Sequence, residues 1–128
     1  LLDKDEKKKI IKYVGNYKNI KKFFKKSSIL VLPSYREGSP KVIIEALSYD
    51  LPVIASDISG CKTLIKNNYN GILVPVNNNK ALANAIIKLF KNKKLSKRFI
   101  KNGRLYAKKE LDINLVINKH LKIYQNLI

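Results

Sequence analysis

Ile29-Leu30-Val31-Leu32-Pro33-Ser34-Tyr35-Arg36-Glu37-Gly38-Ser39-Pro40-Lys41-Val42-Ile43-Ile44-Glu45-Ala46-Leu47-Ser48-Tyr49-Asp50-Leu51-Pro52-Val53-Ile54-Ala55 is the stretch that decides the fold. Its first four residues are an unbroken apolar run, which suits a strand buried on both faces. Residues 53–55 are a second such run, entered through Pro52. Between them Val42, Ile43, Ala46 and Leu47 recur at helical spacing. Strand, turn, helix, strand is the βαβ unit of a parallel sheet. Ser39 is expected as the N-cap of the helix and Pro40 as its first residue. Asp50 is expected to end it in the left-handed conformation, which aspartate tolerates better than most side chains.

In open parallel sheets, ligands bind outside the carboxyl ends of the strands. Glu37 falls in the turn at such an end. Glu45 follows eight positions later on the helix, roughly 8 Å along the axis from the helix start. The free N–H groups of that start carry partial positive charge. Gly38 lets a ligand approach the backbone closely. An anion or a sugar oxygen fits there. Two carboxylates so placed can accept hydrogen bonds from both parts of one extended ligand, as a nucleotide sugar is. Plainer readings stand beside this one. Glu45 is four residues after Lys41, the spacing of a surface ion pair. Glu37 is favoured beside a helix N-terminus whatever the ligand. A hydrolase also uses two carboxylates, but Glu45 is helical and nothing in the sequence marks either group as desolvated.

Outward from this unit the pattern continues. Residues 7–14 carry Ile10, Ile11, Tyr13 and Val14, and the end of this run reads as a strand entering the turn Gly15-Asn16-Tyr17. Residues 20–27 read as a short helix with Ile20, Phe23 and Phe24 on one side. Beyond residue 55, Ser56-Asp57-Ile58-Ser59-Gly60 is a loop. A short helix near residues 61–65, a turn at 67–71 and a strand at 72–74 follow. From Lys80 onward the pattern is wholly helical. Leu82, Ala85, Ile86, Leu89 and Phe90 mark one helix. Leu95, Phe99 and Ile100 begin another that runs on toward Leu105 and Tyr106. Asp112 is expected to cap the last, with Leu115, Val116, Leu121, Tyr124 and Leu127 on its apolar side. Tyr106 and Tyr124 are expected in the core. The fold class is therefore α/β: a Rossmann-like parallel sheet flanked by helices, with a helical C-terminal segment.

The 128 residues make one domain or part of one, with no repeat or linker dividing them. No apolar run reaches the roughly 18 residues of a membrane span. The single cysteine, Cys61, excludes an internal disulfide framework and a cysteine-rich zinc site. A reducing, cytoplasmic setting is the simplest expectation. Cys61 is expected to be structural, and His120 is expected to serve surface or packing rather than catalysis. The formal net charge is +18. Such a charge suits nucleic acid or an anionic membrane surface. Arginine, the better reader of phosphates and bases, occurs only at Arg36, Arg98 and Arg104. Lysine, asparagine and isoleucine all have AT-rich codons, so a coding bias accounts for much of the charge. A basic nucleic-acid module and a non-catalytic interaction domain remain the rival function classes, and no nucleic-acid partner is expected. The lysines at 91, 93, 94, 97 and 101 make peripheral attachment to anionic lipid a reasonable expectation.

The segment from Leu32 to Leu47 resembles the E-x7-E motif of retaining glycosyltransferases with the GT-B fold, specifically the large family 4. The resemblance continues through Pro52-Val53-Ile54-Ala55-Ser56-Asp57, Gly60, Asn70-Gly71-Ile72-Leu73-Val74-Pro75 and the helix from Ala81. Upstream, Val14-Gly15-Asn16-Tyr17 is similar to a strand end of the same family. The resemblance implies that Glu37, the catalytic-site glutamate, contacts the donor sugar. It implies that Gly38, Ser39 and Pro40 bring backbone amides to the hexose and phosphate. Glu45 then binds the ribose hydroxyls, and Gly15, Asn16 and Tyr17 lie beside the base. A UDP- or GDP-sugar is the implied donor, UDP favoured, with no metal and no further cofactor. A glycan or lipid-linked acceptor is the implied partner. Three positions depart from the family pattern: Asp50 and Ser59 stand where glycine is frequent, and Thr63 where glutamate is usual. The family's pyrophosphate-binding arginine and lysine come from a segment upstream of the matched region. The chain is therefore expected to be the later two-thirds of a C-terminal donor domain, inactive alone. Residues 112–128 are expected to pack toward an N-terminal domain. The implied localisation is cytoplasmic, peripheral on the inner face of the membrane.

Overall fold

Three short apolar runs pair side by side. β1 (Leu30–Leu32), β2 (Val53–Ser56) and β3 (Gly71–Val74) form a parallel sheet in the order β1-β2-β3. Leu30 stands opposite Val53, and Val53 opposite Gly71. The computed structural model in which they are seen describes residues 10–16 and 18–127. β2 is the central strand and all of its residues are buried. A central strand covered on both faces has no solvent side, which is why residues 53–55 show no polar alternation. α1 (Lys21–Phe24) precedes the sheet, and α2 (Lys41–Ser48) joins β1 to β2. α3 (Ser59–Lys62) lies between β2 and β3. α4 (Asn79–Lys91), α5 (Lys93–Glu110) and α6 (Ile113–Leu127) follow β3.

The pleat sorts the core into two clusters. Val53 and Ala55 point to one face and meet Ile43, Ala46 and Leu47 of α2, together with Cys61, Leu64 and Ile65. Ile54 points to the other and meets Ile72, Val74, Ala85 and Leu89, with Phe99 from α5. α5 serves both. Phe99 closes the second cluster, while Tyr106 and Ala107 pack against the first. Between them Gly103 lies so close to α2 that a Cβ there would stand 2.7 Å from Leu47 Cδ2. Along the way Arg98 donates to the Asn68 carbonyl (3.3 Å) and Asn102 to the Tyr69 carbonyl (2.8 Å), just before β3 begins. Arg104 pairs with Asp50, just before β2 begins, at 3.3 Å. α5 thus runs beneath the amino ends of the strands.

Most of the expected elements are present, with instructive shifts. Asp50 has φ 58 and its neighbour Leu51 closes the helix by donating to the Ala46 carbonyl. Asp112 caps α6, its Oδ1 accepting from Asn114 N at 2.8 Å. Asn78 and Asn92 do the same for α4 and α5. The expected cap Ser39 does not act: Pro40 is the cap residue, extended at φ −70 and ψ 103, and no side chain caps the start. Ser39 sits one residue too early to reach the first-turn amides. The expected strand at residues 10–14 does not form. That segment is exposed and outside the sheet, and Tyr13 and Val14 border a surface groove with Lys22 and Phe23. A parallel strand needs apolar cover on both faces, and Ile10 and Tyr13 of this lysine-flanked run are each 72% exposed. Tyr124 is not core either. It is 62% exposed, and α6 has no buried residue among those described. Tyr106 is packed as expected, its hydroxyl donating to the Thr63 carbonyl at 2.8 Å.

Candidate functional site at the carboxyl ends of the strands

The loop after β1 is set by three contacts. Ser34 Oγ donates to Glu37 Oε1 at 2.9 Å, which fixes the carboxylate of a half-buried residue. Tyr35 donates its hydroxyl to Asn77 Oδ1 at 2.6 Å, tying this loop to the one after β3. The two loops enclose a small pocket of about 70 Å³, lined at its base by Pro33, Ser56 and Val74. The third contact comes from α3. A Cβ on Gly60 would run into the Glu37 carbonyl oxygen and stand 2.6 Å from that of Gly38. Only glycine lets α3 lie this close to the loop.

Cys61, next to Gly60, is fully buried. Burial pushes its thiol up first, and the Glu37 carboxylate adds to this. A thiol held protonated is a poor nucleophile, in keeping with a structural role. His120 lies exposed on α6 with Nδ1 2.8 Å from the Val116 carbonyl, far along the chain from the loop.

The start of α2 faces open space. Gly38 and Ser39 are exposed, and a Cβ at Gly38 would meet nothing within 4 Å. Pro40 has no N–H, and its carbonyl accepts from Ile43 N at 3.0 Å, leaving the Lys41 and Val42 amides without a side-chain cap. Glu45 is half-buried on α2, about 6 Å along the axis from Lys41. Among the described residues its carboxylate has no hydrogen bond and no ion pair, so the Lys41 pairing allowed by the spacing is not formed.

The fold therefore brings Glu37, Gly38, Ser39 and Pro40 together in one loop, with Glu45 on the helix that leaves it. Gly15 and Asn16 precede this unit in the chain. Gly15 has φ 66 and both residues are exposed. Among the described residues neither hydrogen-bonds to residues 37–40. Tyr17 lies outside the described residues. Ser34, Tyr35, Gly60 and Asn77 complete the site. Sequence reading did not single out Ser34, Tyr35 or Asn77, because Tyr35 and Asn77 are far apart in the chain and only the parallel sheet aligns their loops. No helix among the described residues is long and apolar enough to cross a membrane.

The chain is similar to known proteins. Residues 2–106 match the family model described as glycosyl transferases group 1. An N,N'-diacetylbacillosaminyl-diphospho-undecaprenol alpha-1,3-N-acetylgalactosaminyltransferase of Campylobacter jejuni is 32% identical over 118 residues, covering 92% of this chain and 31% of that protein. A UDP-Gal:alpha-D-GlcNAc-diphosphoundecaprenol alpha-1,3-galactosyltransferase of Escherichia coli is 35% identical, with 88% and 32% covered. The crystal structure of Anabaena HepE in complex with UDP-glucose superposes with a TM-score of 0.86 at 20% identity, covering 99% of this chain and 36% of that one. The chain spans about a third of the length of the curated relatives it matches. With its parallel sheet, its glutamate-bearing loop and this family match, the chain belongs to the glycosyl transferases group 1 family and has the fold of the C-terminal domain of a GT-B glycosyltransferase.

Proposed function

We propose that this chain is the donor-binding part of a retaining glycosyltransferase that uses a nucleotide-diphosphate sugar, UDP-linked in preference to GDP-linked. Glu37, held by Ser34, accepts hydrogen bonds from hydroxyls of the donor sugar. The exposed amides of Gly38 and Ser39 and the uncapped start of α2 meet the diphosphate. Glu45 accepts from the ribose hydroxyls. As the sugar departs, negative charge grows on the diphosphate, and the positive end of α2 stabilises it most at that moment. The sugar passes to a glycan or lipid-linked acceptor with its anomeric configuration kept. The E. coli relative named above uses a UDP-sugar, and both relatives carry an undecaprenol diphosphate in their names. In a longer protein the apolar side of α6 would pack against a further domain, which would hold the acceptor. The chain alone is then expected to bind donor without turning it over.

One observation carries this reading: a fixed Glu37 and a half-buried Glu45, without a partner among the described residues, flank an uncapped helix start at the strand ends. Calorimetric titration of the chain with UDP, GDP and their sugars tests it, at millimolar ligand. UDP and UDP-sugars are expected to bind, and Glu45→Ala to weaken both by about tenfold to a hundredfold, the worth of a hydrogen bond to a charged group. Glu37→Gln is expected to weaken UDP-sugars while leaving UDP unchanged. The absence of any nucleotide binding would overturn the proposal.

A further inference from the structure

We propose that the exposed face of α5, together with Phe90 at the end of α4, docks the protein on an anionic lipid bilayer. The buried side of α5 is marked by Phe99 and Gly103. At 100° per residue, Lys93, Lys94, Lys97, Lys101, Arg104 and Lys108 all fall on the opposite half, and all are exposed. The sole acidic residue of the helix is Glu110, near its end. Arg104 has Asp50 as partner, and among the described residues the five lysines have no ion pair. A row of unneutralised lysines about 22 Å long, from Lys93 to Lys108, is the result.

Apolar side chains break through this row. Phe90 is 73% exposed, and it lines a groove of about 350 Å³ with Lys93 and Lys97. Ile87, one turn earlier on the same side of α4, is 50% exposed, and Leu105 within the basic face is 53% exposed. Aromatic and aliphatic tips among lysines match the boundary of an anionic leaflet. There the ammonium groups meet phosphates and the apolar tips enter the acyl edge. Nucleic acid fits less well. The face is mostly lysine, and its two guanidinium forks are engaged, Arg104 by Asp50 and Arg98 by the Asn68 carbonyl. α5 runs beneath the amino ends of the strands, so docking there leaves the Glu37 loop at the carboxyl ends open to solvent.

Flotation of the full chain with vesicles tests this. Binding is expected to phosphatidylcholine mixed with phosphatidylglycerol and not to phosphatidylcholine alone, and it should fall as salt rises. Replacing Lys93, Lys94, Lys97 and Lys101 together by Gln is expected to weaken partitioning by at least about a hundredfold. Phe90→Ser alone should weaken it severalfold. Circular dichroism and unchanged UDP affinity establish that these variants are folded. Two controls are built in: an equal number of Gln substitutions at Lys12, Lys18, Lys119 and Lys122, and the α6 pair Ile117→Ser with Leu121→Ser. The proposal is overturned if the first control matches the α5 variant, if binding depends on α6 alone, or if the chain binds duplex DNA but no vesicle.

Discussion

Gly60 and Glu37 are linked more tightly than their separation in sequence suggests. The place of a side chain at residue 60 is filled by the Glu37 and Gly38 carbonyls. Backbone is the obstacle, and it cannot rotate aside. Gly60→Ala is therefore expected to push the loop outward. The cost should be about 1–3 kcal/mol in urea denaturation, as in other overpacked sites, with weaker UDP-sugar binding in calorimetry. Cys61 gives the same region a signature in pH. Its thiol is raised above the ordinary 9.0, chiefly by burial and then by Glu37. The folded state thus holds the proton more firmly than the unfolded chain. This contribution to stability is complete below pH 9.0 and is lost as pH climbs through the raised value. Tyr106, raised above 10.0 by burial and then by Glu110, acts in the same direction at higher pH. The urea midpoint is expected to fall at alkaline pH, and Cys61→Ala to remove the earlier part of that fall. A midpoint that rises with pH in this range contradicts the assignment.

The elements differ in how plainly the sequence announces them. β1, α2 and β2 are legible because each carries its cause locally: apolar runs, a helical stripe, and Asp50 at φ 58. The Glu37 loop and Glu45 are legible for the same reason, since turn and helix lie side by side in the chain. The segment at residues 10–14 misleads, because strand formation depends on a partner edge and on cover that its own residues do not specify. The Ser39 cap misleads by one position, since both Ser39 and Pro40 suit a helix start and backbone geometry decides between them. The path of α5 is not legible at all. Its stripe of Leu95, Phe99 and Tyr106 announces a buried face but not which faces of the sheet it covers. Phe99 is fully buried, and it fastens α5 to the second cluster. Phe99→Ala is expected to lower the free energy of unfolding by about 3–5 kcal/mol, read from urea denaturation. Near-UV and far-UV transitions should remain coincident if both clusters still unfold together.

Over the whole molecule, two ends of one sheet are put to different uses. The carboxyl ends carry the loops with Glu37 and Asn77, and the amino ends rest on α5. The net charge of +18 stands against few local pairings: three ion pairs are formed among the described residues, all well exposed, and such pairs contribute little. α6 stands apart from this plan. Ile113, Ile117, Leu121, Tyr124 and Leu127 are all exposed, and none of its residues enters either cluster. Removal of residues 113–128 is therefore expected to change the unfolding free energy by less than about 1 kcal/mol. It should also reduce self-association of the chain in sedimentation experiments, because an apolar stripe is withdrawn from water. A large loss of stability on this deletion would mean that α6 is packed in solution.

The course of α5 beneath the sheet also has a meaning in time. The strands are made in the order in which they pair, so each can settle on its predecessor as it leaves the ribosome. Phe99, Gly103 and Tyr106 arrive only afterwards. Until they do, Ile54 and Leu89 lack their cover on one face and Leu47 lacks Gly103 on the other. A nascent chain without α5 therefore shows apolar surface on both sides of these three strands, the kind of surface that chaperones hold. One from which residue 111 has left the exit tunnel shows neither. The arrival of α5 sets the moment at which the two core clusters are closed.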